Sequence, residues 1–175
     1  MNMDKKEIIE KIKAKKAFIS DMDGVLYHGN RLLPGVPDFV EWLKREGKKF
    51  LFLTNSSERT PRELKDKMHR LGIDVDENVF YTSALATANF LAWQKPGGTA
   101  FVIGEAGLIH ALYSAGYSIN NVNPDYVVIG ETRSYNFEKI EQAINLVLKG
   151  ARLIGTNPDV TGPAESGIVP ATRAL

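Results

Sequence analysis

Two carboxylates stand two residues apart near the start of the chain, Asp21 and Asp23 in "KKAFISDMDGVLYHGN" (residues 15 to 30), with Gly24 directly after them. Ala17-Phe18-Ile19 reads as a buried strand, so the pair sits where that strand runs out. Side chains two apart in a strand share a face, which puts the two backbones about 6–7 Å apart. Like charges so placed repel. The chemistry that uses them is phosphoryl transfer through an aspartyl phosphate. One carboxylate attacks phosphorus, and the other protonates the leaving oxygen and later takes a proton from water. Repulsion raises the proton affinity of one member, which suits an acid. A divalent cation between carboxylate and phosphate neutralises the charge that develops. Gly24 lets the backbone approach a ligand closely. A second apolar run, "KKFLFLTNSS", ends in Thr54, Asn55 and Ser56, whose hydroxyl and backbone N–H groups can hold phosphate oxygens. The plainer reading of the acidic pair is a solvated turn that opens a loop.

The elements that must position these residues alternate strand and helix. "PGVPDFVEWLKREG" carries Val36, Phe39, Val40 and Leu43 at helical spacing. Thr60-Pro61-Arg62-Glu63 reads as an N-cap, a proline in the first turn and a capping-box glutamate. "NVFYTS" is a third short strand, with Ser83 expected to cap the next helix. Pro96-Gly97-Gly98 is the strongest punctuation in the chain and predicts a domain boundary. Beyond it come a strand "TAFVIG", a helix "EAGLIHALYSAG", a strand "DYVVIGE", a helix over "NFEKIEQAINLVLKG" and a strand "ARLIGTNP". The tail from Asp159 reads as loop. Strand–helix repetition of this kind predicts an α/β fold with parallel sheets and helices on their faces.

Composition bounds the function. Lys plus Arg is 22 and Asp plus Glu is 21, so no basic field points to nucleic acid. Without cysteine there are no disulfides and no thiolate metal sites. No apolar run is long enough for a membrane span, and "MNMDKKEIIEKIKAKK" has no apolar core, so it reads as a solvated helix rather than a signal peptide. A cytoplasmic location is the expectation.

"DMDGVLYHGN" together with "FLTNSS" resembles the first two signature motifs of the haloacid dehalogenase superfamily of phosphohydrolases. "VFYTSALATANFL", "VIGEAGLIHALYSAG", "VNPDYVVIGETRSYNFEKI" and "GARLIGTNPD" resemble its NagD-like branch, so the likeness runs from residue 17 onward. The resemblance implies a Rossmann-like parallel core with an inserted α/β cap. It implies that residues 1–96 form the first part of the core, 97–170 the cap, and 171–175 the start of the return to the core. It further implies Asp21 as nucleophile, Asp23 as acid and base, and Thr54 and Asn55 as phosphate binders. Mg²⁺ would be held by Asp21 and Asp23, the latter through its carbonyl. A cap loop from Asn157 to about Gly167, with Asn157 and Asp159, would face the substrate. The implied substrates are small phosphorylated metabolites: nucleoside monophosphates first, with sugar phosphates or pyridoxal phosphate as rivals. The cap would offer a surface for a homo-oligomer.

The family also has a later lysine and a further acidic pair. After Gly155 this chain holds Asp159, Glu165 and Arg173 but no lysine. The expectation is therefore half a core plus a nearly complete cap, from a longer protein or a truncated gene, and poor phosphatase activity from these residues alone. A catalytically impaired binding module is one alternative. A phosphoacceptor receiver domain is another, but it wants an acceptor aspartate ending a later strand, where this chain has Thr54. His28 lies close enough to the acidic pair to touch substrate. His69 and His110 have no metal-ligand spacing and read as helix packing, and "GEAGLIHAL" lacks a dinucleotide fingerprint.

Overall fold

The computed structural model describes residues 4–134, 136–164 and 167–174. Glu165, in the expected cap loop, and Leu175, in the expected return segment, lie outside these residues, as do Met1 to Met3 of the expected solvated helix. The described part of that helix is α1 (Lys5–Lys13), capped by the Asp4 carboxylate and burying no side chain.

The first sheet contains β1 (Ala17–Asp21), β4 (Lys49–Thr54) and β5 (Phe80–Thr82), parallel and in the order β1-β4-β5. A small antiparallel hairpin, β2 (Tyr27–His28) and β3 (Arg31–Leu32), follows the acidic pair. Helix α2 (Val36–Arg45) links it to β4 and buries Val36, Val40 and Leu43, one apolar stripe of period 3.6. Helix α3 (Pro61–Arg70) links β4 to β5. Its start is the expected capping box: Thr60 Oγ1 accepts from the Glu63 N–H at 3.2 Å, and Glu63 Oε2 accepts from the Thr60 N–H at 2.8 Å. Phe52, Met68, Leu26 and Tyr27 are fully or almost fully buried in the cluster these elements share.

Helix α4 (Ser83–Gln94) leads to a second sheet of β6 (Thr99–Ile103), β7 (Ser118–Ile119), β8 (Tyr126–Ile129) and β9 (Arg152–Gly155). All pairs are parallel, in the order β7-β6-β8-β9. Helix α5 (Ala106–Ser114) covers one face with α4, and α6 (Phe137–Leu148) covers the other. The period-2 alternation is clean in β8, which is buried throughout. Tyr126 and Val128 pack toward α4 and α5, and Val127 and Ile129 toward Ala143 and Leu146 of α6. A second hairpin, β10 (Thr161–Ala164) with β11 (Gly167–Pro170), follows β9.

The expected half core leaves β1 at a sheet edge among the described residues, with Ile19 70% exposed. Two expectations are corrected. The tail is a β-hairpin and a short 3₁₀ turn at Thr172–Ala174 rather than loop, because backbone pairing there does not need an apolar period. Helix α4 is capped by Thr82, whose hydroxyl accepts from the Leu85 N–H at 3.2 Å. Ser83 instead donates to the Asn55 carbonyl at 2.6 Å.

Candidate active site

Strands β1 and β4 run in parallel with Asp21 opposite Leu53, so Asp21 and Thr54 both emerge at their carboxyl ends. Ligands of open parallel sheets sit beyond that edge. A cleft of about 770 Å³ opens there, lined by Asp21, Asp23, Tyr27, Thr54, Asn55, Ser56, Glu58 and Arg59 from the first sheet's loops. Glu131, Thr132, Arg133 and Asp159 close it from the second sheet, with Thr161, Gly162 and Val169 of the β10–β11 hairpin.

Six of the expected residues, Asp21, Asp23, Thr54, Asn55, Ser56 and Asp159, are brought together on this cleft. Gly24 and Asn157 are not among its lining residues. The Gly24 N–H donates to the Tyr27 carbonyl at 2.8 Å, and its positive φ of 78° lets the chain turn from β1 into the hairpin. Asn157 is 9% exposed and lies behind the lining, hydrogen-bonded to Asn55 and Glu131. His28 is exposed on the hairpin and does not line the cleft.

The local order at the acidic pair comes from a tight turn. The Leu26 N–H donates to the Met22 carbonyl at 2.8 Å, and the buried Met22 and Leu26 side chains anchor the turn to the core. The Met22 N–H donates to Asp21 Oδ1 at 2.7 Å, fixing that carboxylate. Lost hydration in the cleft pushes the Asp23 carboxyl above its ordinary range. The Asp21 charge adds to this, while Lys67 and Arg59 pull the other way. The Tyr27 hydroxyl hydrogen-bonds Asp23, and burial raises its own proton affinity. Lys67 Nζ lies 3.5 Å from the centroid of the Tyr27 ring.

Thr54 and the residues after it form a small chain of turns. Thr54 Oγ1 accepts from the Ser56 N–H at 3.1 Å, and Ser56 Oγ from the Glu58 N–H at 3.3 Å. The second sheet grips the same loop. Fully buried Ser57 accepts from the Glu131 N–H at 3.0 Å, and Thr156 Oγ1 approaches it at 3.3 Å. The Gly107 N–H at the start of α5 donates to the Glu58 carbonyl at 3.0 Å. Burial raises the Glu131 carboxyl above its usual range, against the lowering effect of the Asn157 amide.

Tyr27, Arg59, Lys67 and Glu131 escaped sequence reasoning. Glu131 carried a readable signal, an acid two residues past the end of the buried parallel strand β8. Lys67 carried none: it sits on a helix face whose neighbours come from elsewhere in the chain.

The donor set suits a magnesium ion. No group of three or more His, Cys, Asp or Glu residues gathers as a metal cage among the described residues. Mg²⁺ is ordinarily held by one or two carboxylates with water and substrate phosphate filling its octahedron. The Asp21 carboxylate, on an open polar cleft next to the Asp23 main chain, matches that need. No described helix is long and apolar enough to cross a membrane.

The family model described as haloacid dehalogenase-like hydrolase matches residues 18–118. The chain is 49% identical over 159 residues to the dihydroxyacetone phosphatase of Corynebacterium glutamicum, covering 91% of this chain and 58% of that protein. It is 46% identical over 160 residues to the ribonucleotide monophosphatase NagD of Escherichia coli K12, covering 91% of this chain and 62% of the relative. The solved structure of E. coli NagD superposes with a TM-score of 0.83 over 91% of this chain and 62% of that one. The chain thus spans about three-fifths of the length of these relatives. The family model over residues 18–118 and the parallel α/β fold shared with these relatives show that the chain belongs to the haloacid dehalogenase-like hydrolase family, with NagD-type phosphatases as its structural neighbours.

Proposed function

We propose that this chain carries the phosphoryl-transfer site of a phosphomonoester hydrolase, with Asp21 as nucleophile and Asp23 as general acid and base. The observation that supports this most is the convergence of Asp21, Asp23 and Thr54 on one cleft at the ends of two neighbouring parallel strands. The Met22 N–H holds one Asp21 oxygen, leaving the second to attack phosphorus. As that bond forms, the ester P–O bond breaks and the Asp23 proton passes to the departing oxygen. Lost hydration and the Asp21 charge both favour Asp23 keeping its proton until then. Water next attacks the aspartyl phosphate, Asp23 takes its proton, and inorganic phosphate leaves with Asp21 restored. Thr54, Asn55 and Ser56 hold the non-reacting oxygens, and the Tyr27 hydroxyl orients Asp23. Mg²⁺, held by the Asp21 carboxylate and the Asp23 main-chain carbonyl, would supply positive charge against the phosphoryl oxygens.

Residues 97–170 act as a cap over a first part of the core in residues 1–96. Helix α4 precedes that boundary yet packs on the cap sheet, so it would move with the cap. The substrate is a small phosphate monoester. Ribonucleoside monophosphates are the first choice, supported by the 46% identity to a ribonucleotide monophosphatase and by the two arginines, Arg59 and Arg133, on the cleft. The 49% identity to a dihydroxyacetone phosphatase favours small sugar phosphates as the second reading.

The test is phosphate release from a panel of both ester classes with Mg²⁺, together with trapping of radiolabelled phosphate on the protein. Asp21→Asn is expected to abolish release and labelling alike. Label on any other residue would remove Asp21 from the nucleophile role, and a preference for triose over nucleotide esters would select the second substrate reading.

A further inference from the structure

Asn55 is held by a closed ring of hydrogen bonds that reaches it from the far sheet. Its Nδ2 donates to Asp159 Oδ2 at 2.9 Å. The Asp159 N–H donates to Asn157 Oδ1 at 3.0 Å. Asn157 Nδ2 donates back to the Asn55 carbonyl at 2.9 Å. The orientation of the Asn157 amide has one solution. Its nitrogen faces two acceptors, the Asn55 carbonyl and Glu131 Oε1 at 3.0 Å, while its oxygen faces an N–H. Turning the amide over would set oxygen against both acceptors and nitrogen against a donor. The Ser83 hydroxyl adds a second bond to the same Asn55 carbonyl at 2.6 Å. Asn55 is thus fixed at main chain and side chain, by Asn157 and Asp159 more than a hundred residues away in sequence and by Ser83 at 28.

We propose that Asn157 and Asp159 are positioning residues, which set the geometry of Asn55 from the end of β9, rather than groups that bind substrate themselves. The proposal rests on the reading of Asn55 as a phosphate-ester contact given above. Two observations favour it over direct contact. Asn157 is 9% exposed, is absent from the cleft lining, and has its amide nitrogen and oxygen both engaged by protein groups. Asp159 lines the cleft, yet one of its carboxylate oxygens is occupied by Asn55. Its role in the ring needs an acceptor oxygen and not a negative charge. The consequence is mechanical: the loop that follows Thr54 takes its shape from the second sheet, and a displaced β9 end would misalign the phosphate contacts without touching Asp21 or Asp23.

The acceptor-versus-charge distinction supplies the experiment. Asp159→Asn keeps an acceptor oxygen and removes the charge, whereas Asp159→Ala removes both. Two quantities are read on the full chain: the side-chain amide resonances of Asn55 by ¹⁵N NMR, and the affinity for inorganic phosphate in the presence of Mg²⁺ by titration. Asp159→Ala is expected to shift the Asn55 amide signals and weaken phosphate binding about tenfold, the range of one lost hydrogen bond to a charged group. Asp159→Asn should leave the Asn55 signals in place and the phosphate affinity within about twofold of the unaltered chain. Asn157→Asp, which sets a carboxylate against the Asn55 carbonyl and Glu131, should disturb the Asn55 signals more than Asn157→Ala. If Asp159→Asn weakens phosphate binding as much as Asp159→Ala while the Asn55 signals stay in place, Asp159 acts through its charge and the proposal is overturned. If the Asn55 signals shift as expected but phosphate affinity does not change, the ring stands and the reading of Asn55 as a phosphate contact fails instead.

Discussion

The two sheets of this protein are built from the same strand–helix units and stand in opposite conditions. In the second sheet β8 is buried along its whole length between helices on both faces. In the first sheet β1 lies at an edge, with Ile19 70% exposed among the described residues. Yet the proposed chemistry sits on the first sheet, at the ends of β1 and β4, while the second contributes Glu131, Arg133 and Asp159 to the cleft. The difference teaches where order at the site originates. The loop after Thr54 is held less by its own sheet than by the better-packed neighbour, through Ser57, Glu58 and Asn55.

The largest effect that separates the sheets is a matched pair of truncations. Ile103 on β6 is 2% exposed, whereas Ile19 on β1 is 70% exposed. Ile103→Ala should cost about 2–5 kcal/mol in urea denaturation, the usual range for a buried isoleucine. Equal costs at both positions would show that β1 is covered in solution and would end the contrast.

A second, smaller effect probes the joint between the sheets. Gly107 sits in the first turn of α5, where alanine would ordinarily help a helix by about 0.5–1 kcal/mol. Here an added Cβ would fall 2.6 Å from the Arg59 carbonyl carbon and 2.7 Å from its oxygen, main-chain atoms that cannot rotate away. Gly107→Ala should therefore destabilise by about 1–3 kcal/mol, the cost of overpacking. It should also speed amide hydrogen exchange at Glu58 and Arg59. A gain in stability would mean that the joint is loose.

A third test is pH-dependent. Burial raises the Glu131 carboxyl in the folded protein above its unfolded value. The folded state thus binds the proton more tightly, so this group's stabilising contribution is complete below the unfolded pKa and is lost as pH rises through the folded one. Glu131→Gln keeps an acceptor for the Asn157 amide and carries no charge. It should raise the thermal midpoint at neutral pH, and the gain should vanish below the unfolded carboxyl range. A gain that persists in acid would assign the effect to something other than ionisation. The smallest expected change is Ile19→Ala itself, within about 0.5 kcal/mol of the unaltered chain.

Much of the fold was legible because its signals are local. The capping box at Thr60 and Glu63 and the apolar stripe of α2 depend on residues within one or two turns, and each is found as read. The acidic pair was legible for the same reason, as a pattern two residues wide. Misreadings arose where a partner decided the outcome. Ser83 looks like a cap until Thr82 takes that place and Ser83 turns to the Asn55 carbonyl. The β10–β11 hairpin has no apolar alternation to announce it, since its ladder rests on backbone pairing.

By itself, the sequence determined the α/β alternation, the capping-box start of α3 and the position of Asp21, Asp23 and Thr54 at strand ends, because propensity, capping and hydrophobic period act over a few residues. Only the tertiary structure decided that Asn157 lies behind the cleft while Asp159 and Glu131 line it. The same holds for Lys67 against the Tyr27 ring, and for a loop on one sheet shaped by the strand ends of another. Those are contacts between residues tens to more than a hundred positions apart. A hydrogen bond of 3 Å depends on where two elements pack, and no spacing along the chain encodes that distance.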